Sequence, residues 1–227
     1  MSFSLEKVVP WGRSFDEYVA MFALSEDDLE RRIVGCGEGP ASFNCTLTKQ
    51  GGRIVSVDPI YQFSADEILR RIEESYSDVM EQTRKNAHEF IWQHIPSLEV
   101  LGHLRMAAMT EFLSDYPAGV KGSRYVAGGL PCLPFKDQTF ELALCSHFLF
   151  LYSEQFSLEF HIQSIRELCR AATEVRIFPV LELGSRKSRH LVATLSRLQE
   201  VGLAVNVATV PYEFQKGGNQ MLKVTTI

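Results

Sequence analysis

The stretch Arg32-Ile33-Val34-Gly35-Cys36-Gly37-Glu38-Gly39-Pro40 decides how this chain is read. A short apolar run ends in three glycines at alternate positions, ahead of a helical segment. Glycine lacks a Cβ, so the backbone there can turn tightly and press against a ligand. Amides at a helix start point outward and favour negative charge. Ile54-Val55-Ser56-Val57-Asp58 supports this reading, as a strand ending in a carboxylate nineteen positions beyond Gly39. In nucleotide-binding α/β folds an acid at the end of the second strand grips ribose hydroxyls. Together the two stretches point to a cofactor that carries a nucleoside.

Working outward, Ser14-Phe15-Asp16-Glu17 fits a capping box and predicts a helix through Leu24, with a shorter start at Ser25. Ile33 and Val34 belong to the first strand. Pro40 suits the first turn of a helix over Ala41 to Thr48, which Gly51-Gly52 breaks. From Gln62 to Gly119 no strand signal occurs. Ser64 to Glu67 is another capping box, and Ile68, Ile72, Tyr76 and Val79 recur at helical spacing. Two or three helices inserted beside the sheet over 62–119 are predicted. Further strands are expected at Arg124 to Ala127, Phe140 to Ser146, Glu174 to Val180, Leu203 to Val210 and Met221 to Thr226. Helices are expected over Ser164 to Ala172 and Lys187 to Glu200. Lys216-Gly217-Gly218-Asn219 supplies turn chemistry for a closing hairpin. Strands alternating with helices imply a mostly parallel sheet covered on both faces.

The glycine spacing discriminates between cofactors. The dinucleotide fingerprint is GxGxxG, and Pro40 stands where its third glycine would be. The pattern present is GxGxG, and the chain has no lysine-containing phosphate loop. Here the sequence resembles the class I S-adenosylmethionine-dependent methyltransferases. Val34 to Gly39 is similar to their glycine-rich first motif, and Val57-Asp58-Pro59 to their second. The passage from Leu133-Pro134-Phe135 through Phe140-Glu141-Leu142 to His147 is similar to a longer and more specific motif. The resemblance spans Leu24 to Ala172, and more loosely the C-terminal hairpin. It implies a Rossmann-like α/β three-layer sandwich with a seven-stranded, mostly parallel sheet whose last strand is antiparallel. The helical insertion would follow the second strand within a single domain over 1–227.

The resemblance also implies a cofactor, S-adenosylmethionine, and residues to hold it. These are Gly35, Cys36, Gly37 and Gly39 in the loop, then Asp58, with Pro59 and Ile60 as an apolar wall near adenine. Gly129, Leu130 and Pro131 would recognise adenine through backbone, and Ser146 and His147 follow the fourth strand. Two positions where the family often carries acids hold Ile33 and Gly129. The implied activity is a methyltransferase acting on a small molecule. The alternatives are a non-catalytic module binding the same cofactor and a nicotinamide-dependent oxidoreductase.

Methyl transfer is a displacement that needs two atoms close and collinear more than it needs an acid or base. His147, at the C-terminal end of a strand, is the candidate catalytic group; its alternative role is shaping the pocket or capping a helix. Arg13 is placed to meet the carboxylate of a bound amino-acid moiety, with Tyr18 closing over it. An exposed arginine and a buried tyrosine are the plainer alternative. Phe90, Ile91 and Trp92 either line an acceptor pocket or belong to the core. Tyr152 and His161 are read as packing or surface residues. His88, His94 and His103 do not share one helix face, so no metal site is expected.

Composition sets the outer limits. With 227 residues, 45% hydrophobic and 22% charged, the chain suffices for one large α/β domain. A formal net charge of −5 offers no positive excess for phosphates, so there is no strong nucleic-acid signal. Arg31-Arg32 and Arg186-Lys187-Ser188-Arg189 read as solvated faces. No apolar run approaches a membrane span, and Met1 to Lys7 lacks a signal-peptide core. Five cysteines without a CxxC pair suggest reduced thiols in a cytoplasmic protein. The sequence gives no reading of oligomeric state.

Overall fold

Strand β1 (Arg32–Cys36) sends Ile33 into the core on one face of a sheet and Val34 into the core on the other. In β4 (Phe140–Ser146), Leu142 and Leu144 join the first core while Ala143 and Cys145 join the second. A strand apolar on both faces needs helices on both sides. The computed structural model, which describes residues 8–226, supplies them. Helices α1 (Phe15–Phe22) and α3 (Phe43–Lys49) cover the first face with Tyr18, Met21, Phe22, Phe43 and Leu47. Helices α6 (Leu158–Ala171) and α7 (Leu191–Glu200) cover the second with Ile165, Leu168, Leu191 and Leu198. The segment Met1 to Lys7, read above for targeting signals, lies outside the described residues.

β1 pairs in parallel with β2 (Arg53–Asp58) and with β4, placing Val34 opposite Val55 and Ala143. β3 (Tyr125–Ala127) extends the sheet beyond β2, and β5 (Ala172–Phe178) extends it beyond β4. β8 (Leu203–Thr209) and β9 (Gln220–Thr226) close it as an antiparallel pair, with β9 antiparallel to β5 as well. The order is β3-β2-β1-β4-β5-β9-β8, seven strands with the last in sequence reversed, as expected. A separate two-stranded hairpin joins β6 (Leu181–Glu182) to β7 (Arg186–Lys187).

Between β2 and β3 run a 3-10 turn (Pro59–Gln62), α4 (Ala65–Lys85), a second 3-10 turn (Ala87–Glu89) and α5 (Leu98–Lys121). The capping boxes at Ser14 and Ser64 form as predicted, and the short α2 (Glu26–Glu30) has one at Ser25. Tyr61, Ile68, Ile72, Met109, Phe112, Tyr116 and Tyr125 form a third core that fastens the inserted helices to the sheet edge.

Several boundaries differ from expectation. Pro40 precedes α3 instead of opening it, and Ser42 at the helix start makes no side-chain cap bond. The loop before that helix is stretched against Gly12, where any Cβ would clash with the Pro40 carbonyl. α6 starts at Leu158 because the Ser157 hydroxyl accepts the Phe160 amide; with no acid at Phe160 there was no capping-box signal to read. The helix expected from Lys187 begins at Leu191, since the preceding residues form the small hairpin. Its turn uses Gly184 and Ser185, both at positive φ. The closing connection 210–219 is a long loop and not a tight turn. It folds back over the sheet and bridges Gln215 to Phe90.

Candidate cofactor and acceptor site

Above the C-terminal ends of β1, β2 and β4 lies a cavity of about 580 Å³, at the crevice where open α/β sheets bind ligands. Its floor is the glycine loop. Gly37 sits at φ 67° and Gly39 at φ 56°, a region that side chains with a Cβ avoid. The Gly37 amide donates to the Val57 carbonyl (3.0 Å), and a Cβ there would lie 2.9 Å from the Phe148 side chain. The Gly39 amide donates to Asp58 Oδ2 (2.9 Å) while the Ile60 amide donates to Oδ1 (2.8 Å). Asp58 therefore ties the glycine loop to the end of β2 while facing the cavity. Burial raises its pKa, and the two amides pull it back. Each oxygen has a second lone pair available to a ligand hydroxyl.

The loop holds a second carboxylate that the sequence reading passed over. Glu38 is 7% exposed and folds beneath the loop into the space a Cβ on Gly35 would fill. Its Oε2 accepts from the Ser56 hydroxyl, and Ser56 Oγ accepts from Asn44 Nδ2 (2.9 Å). Asn44 Oδ1 in turn accepts from Arg124, which is paired with Asp115. Glu38 Oε1 has no partner among the described residues. Burial pushes the Glu38 carboxyl up to about 7, against the Ser56 and Tyr18 hydroxyls, and the Asp58 charge adds to the rise. Gly35 is thus required by Glu38, not by close approach of a ligand.

Three arginines also line the cavity, Arg13, Arg71 and Arg105. Arg105, 1% exposed on α5, donates to Glu17 Oε2 and Oε1 at 2.6 and 2.7 Å. The Tyr212 hydroxyl also donates to Glu17 Oε1 (2.8 Å), and the Ser14 amide to Oε2 (3.0 Å). Glu17 is held at about 2, because the Arg105 charge and hydrogen bonds outweigh its burial. Arg13 Nη1 donates to the Trp11 carbonyl (3.0 Å), while Nε of Arg13 and Nε of Arg105 are buried without partners among the described residues. His147 stands at φ 49°, with its Nδ1 3.0 Å from Ser146 Oγ. Burial lowers its pKa well below 6.5, and Arg13 and Arg105 lower it further, so the ring is neutral at pH 7.

Of the residues singled out in sequence, Arg13, Gly37, Gly39, Asp58, Pro59, Ile60, Leu130, Ser146 and His147 line the cavity. Gly35 and Cys36 lie beneath it; Cys36 is a packing residue in the sheet core. Gly129 abuts Pro59 and accepts the Cys132 amide, and Pro131 turns outward. Tyr18 does not close over the site, because its ring is stacked on Phe43 in the core at 4.6 Å. Phe90 lines the cavity and stacks on Phe214, whereas Trp92 donates its Nε1 to the Ala87 carbonyl. Tyr152, read as packing, lines the cavity too, and its hydroxyl accepts the Val9 amide (3.5 Å). His161 is buried between the Ser157 and Leu149 carbonyls, a structural role. Arg105 was missed, although an arginine among Leu101, Ala108, Met109 and Phe112 on one helix face was a readable signal. Tyr212 and Phe214 carried none, since the loop that holds them has no period.

Strand order and the reversed last strand define the class I methyltransferase fold. The chain belongs to one family with the uncharacterized protein MJ0045 of Methanocaldococcus jannaschii, to which it is 34% identical over 221 residues, 96% of each chain. No family model matches the sequence. Among solved structures, magnesium protoporphyrin IX methyltransferase from Synechocystis PCC 6803 with bound SAM is similar at a TM-score of 0.47 and 13% identity, over 94% of this chain and 78% of that one. A TehB-like SAM-dependent methyltransferase from Corynebacterium glutamicum is similar at 0.48 and 14%, over 94% and 87%. Likenesses of that extent say nothing of activity.

Proposed function

We propose that this chain binds S-adenosylmethionine in the cavity and transfers its methyl group to a small molecule. One observation carries the reading: the same cavity is lined by Asp58, which accepts the Gly39 amide of the glycine loop, and by an incompletely bonded guanidinium, Arg13. Those groups fit the two polar ends of a nucleoside joined to an amino acid. Asp58 would accept ribose hydroxyls, and Arg13 would meet the carboxylate in a charge-assisted bond. Pro59, Ile60 and Leu130 offer the apolar walls that a purine takes. When bound, the cofactor supplies an electrophilic methyl group on a sulfonium.

The chain's own part is to bind, orient and exclude water. Trp11, Phe148 and Phe214 add apolar wall to the cavity. His147, neutral and anchored to Ser146, is placed to take a proton from a protonated acceptor. The enclosure by α4, α5 and the 210–219 loop supports a small acceptor over a macromolecular one. Among the described residues no helix is long and apolar enough to cross a membrane. The five free cysteines support a reducing, cytoplasmic setting.

Calorimetry with S-adenosylmethionine, S-adenosylhomocysteine and NAD tests the assignment directly. The two sulfur nucleosides should bind with measurable heat and NAD should not. A folded sample that prefers NAD, or ignores all three, would refute the reading.

A further inference from the structure

The glycine loop holds a carboxylate that lacks a cation. Glu38 lines the cavity and is 7% exposed. Its Oε2 accepts from the Ser56 hydroxyl, and its Oε1 has no partner among the described residues. The charge that acts on it is another carboxylate, Asp58, in the same wall. The three arginines of the cavity are engaged elsewhere: Arg105 with Glu17, Arg71 over the Phe63 ring at 3.9 Å, and Arg13 with the Trp11 carbonyl. The groups packed around Glu38 offer no compensating charge either. Burial holds Tyr18 of α1, Cys36 of β1 and Tyr61 of the first 3-10 turn well above their ordinary ranges. It pushes Cys145 of β4 up to about 12, so all four stay neutral at pH 7. Asn44 and Ser56 are uncharged, and His147 is neutral. A buried anion without a cation is costly, and the cost falls when a cation enters. With Glu38 raised to about 7, its ionised and protonated forms are both populated near neutrality.

Resting on the S-adenosylmethionine assignment, we infer that Glu38 is the residue by which this site tells the cationic donor from its neutral product, losing its proton to solvent when the sulfonium binds. At neutral pH the donor carries one net positive charge, from sulfonium and ammonium against carboxylate. S-adenosylhomocysteine keeps the ammonium and carboxylate and carries no net charge, so the two ligands differ by the sulfonium. A unit charge brought into a desolvated wall lowers the ionisation midpoint of a nearby carboxyl by about one to two pH units. Glu38 is therefore ionised in the donor complex and near its empty-site state in the product complex. After transfer the carbon–sulfur electron pair stays on sulfur, the positive charge is gone, and Glu38 takes a proton back from solvent. Asp58 does not supply this discrimination. Its oxygens are held by the Gly39 and Ile60 amides, and the ribose it would meet is the same in both ligands.

The test is calorimetry on the full chain with S-adenosylmethionine and S-adenosylhomocysteine. Ionised Glu38 favours the cation, so donor affinity should rise about tenfold from pH 5.5 to 7.5, and product affinity less than about threefold. At pH 6.5, titrations in phosphate and in imidazole, buffers of different ionisation heat, count the protons exchanged. The donor should release about two-thirds of a proton and the product less than about one-third. In Glu38→Gln the two pH profiles should run parallel, and proton release with the donor should disappear. Parallel profiles or equal proton counts in the parent, or release that persists in the variant, would overturn the proposal. Should the variant fail to fold, the parent's two proton counts decide alone. Heat from neither ligand sinks the cofactor assignment and this inference with it; heat from both with no difference between them sinks this inference alone.

Discussion

Two parts of the cavity wall are built differently. The glycine-loop part comes from short contiguous stretches, Gly37 to Gly39 and Asp58 to Ile60, tied by backbone amides to one carboxylate. The part around Arg105 is assembled from α1, α5, the turn after β4 and the 210–219 loop, through side chains far apart in sequence. Tyr212 and Glu17 are separated by 195 positions. Backbone geometry fixes the first part, so substitution there should break binding outright. Side-chain charge and apolar walls fix the second, so substitution there should weaken binding by degrees.

The largest effect is expected from Gly37→Val. Its positive φ and the Phe148 side chain 2.9 Å from the new Cβ both oppose a branched residue. Strain of about 1–3 kcal/mol from the backbone alone, with the clash added, should reduce S-adenosylhomocysteine affinity by ~100-fold. Gly51→Ala is the control, since Gly51 shares the positive φ but faces open space away from the cavity. It should lower the melting temperature and leave affinity intact; a matching loss of affinity would show that general strain, not loop geometry, is at work.

Glu38 separates stability from binding. Burial raises its folded pKa to about 7 from the ordinary 4.5, so it favours the folded state fully below pH 4.5. That contribution is lost as pH rises through about 7. The shift corresponds to about 3 kcal/mol. In Glu38→Gln this dependence should vanish, and the variant should gain stability over the parent as pH climbs from 4 to 8. Urea melts across that range would show parallel curves if Glu38 titrates normally. Glu17 has the opposite sign: its pKa is depressed to about 2, so its stabilisation holds above 4.5 and fades as pH falls toward 2.

Asp58→Ala removes the acceptor for two amides and a ligand contact, at about 1.5–3 kcal/mol of cofactor affinity. Retention of full affinity would remove Asp58 from the donor site. Phe214→Ala removes one ring of the Phe90–Phe214 stack and should cost about 1–2 kcal/mol of stability, read as a lower melting temperature. Tyr212→Phe should do least, costing about 1 kcal/mol of stability through its bond to Glu17. If either of these substitutions abolishes cofactor binding, the contrast between the two parts fails.

Legibility followed the same division. β4 was readable to the residue, because Phe140 and the apolar run Leu142 to Cys145 stand between polar neighbours. The capping boxes at Ser14 and Ser64 fixed two helix starts. α6 was read six residues late, since Ser157 caps it without a reciprocal acid. The glycine loop was legible as a motif, but the reason for one of its glycines was not: Gly35 makes room for the side chain of Glu38. For Tyr18 the sequence left two readings, closing over Arg13 or lying buried, and the buried one holds. Helical geometry turns its ring onto Phe43.

The sequence on its own settled the strand–helix alternation, the glycine loop after the first strand and the acid that ends the second, because these depend on periodicity, backbone conformation and neighbouring residues. Tertiary structure alone decided that Arg105 is buried against Glu17, that Glu38 lies beneath the loop, and that Tyr212, Phe214, Gln215 and Gly218 of the 210–219 segment line the cavity. Those features arise from contacts between distant segments, and the energy of such contacts has no local signature in the order of the residues.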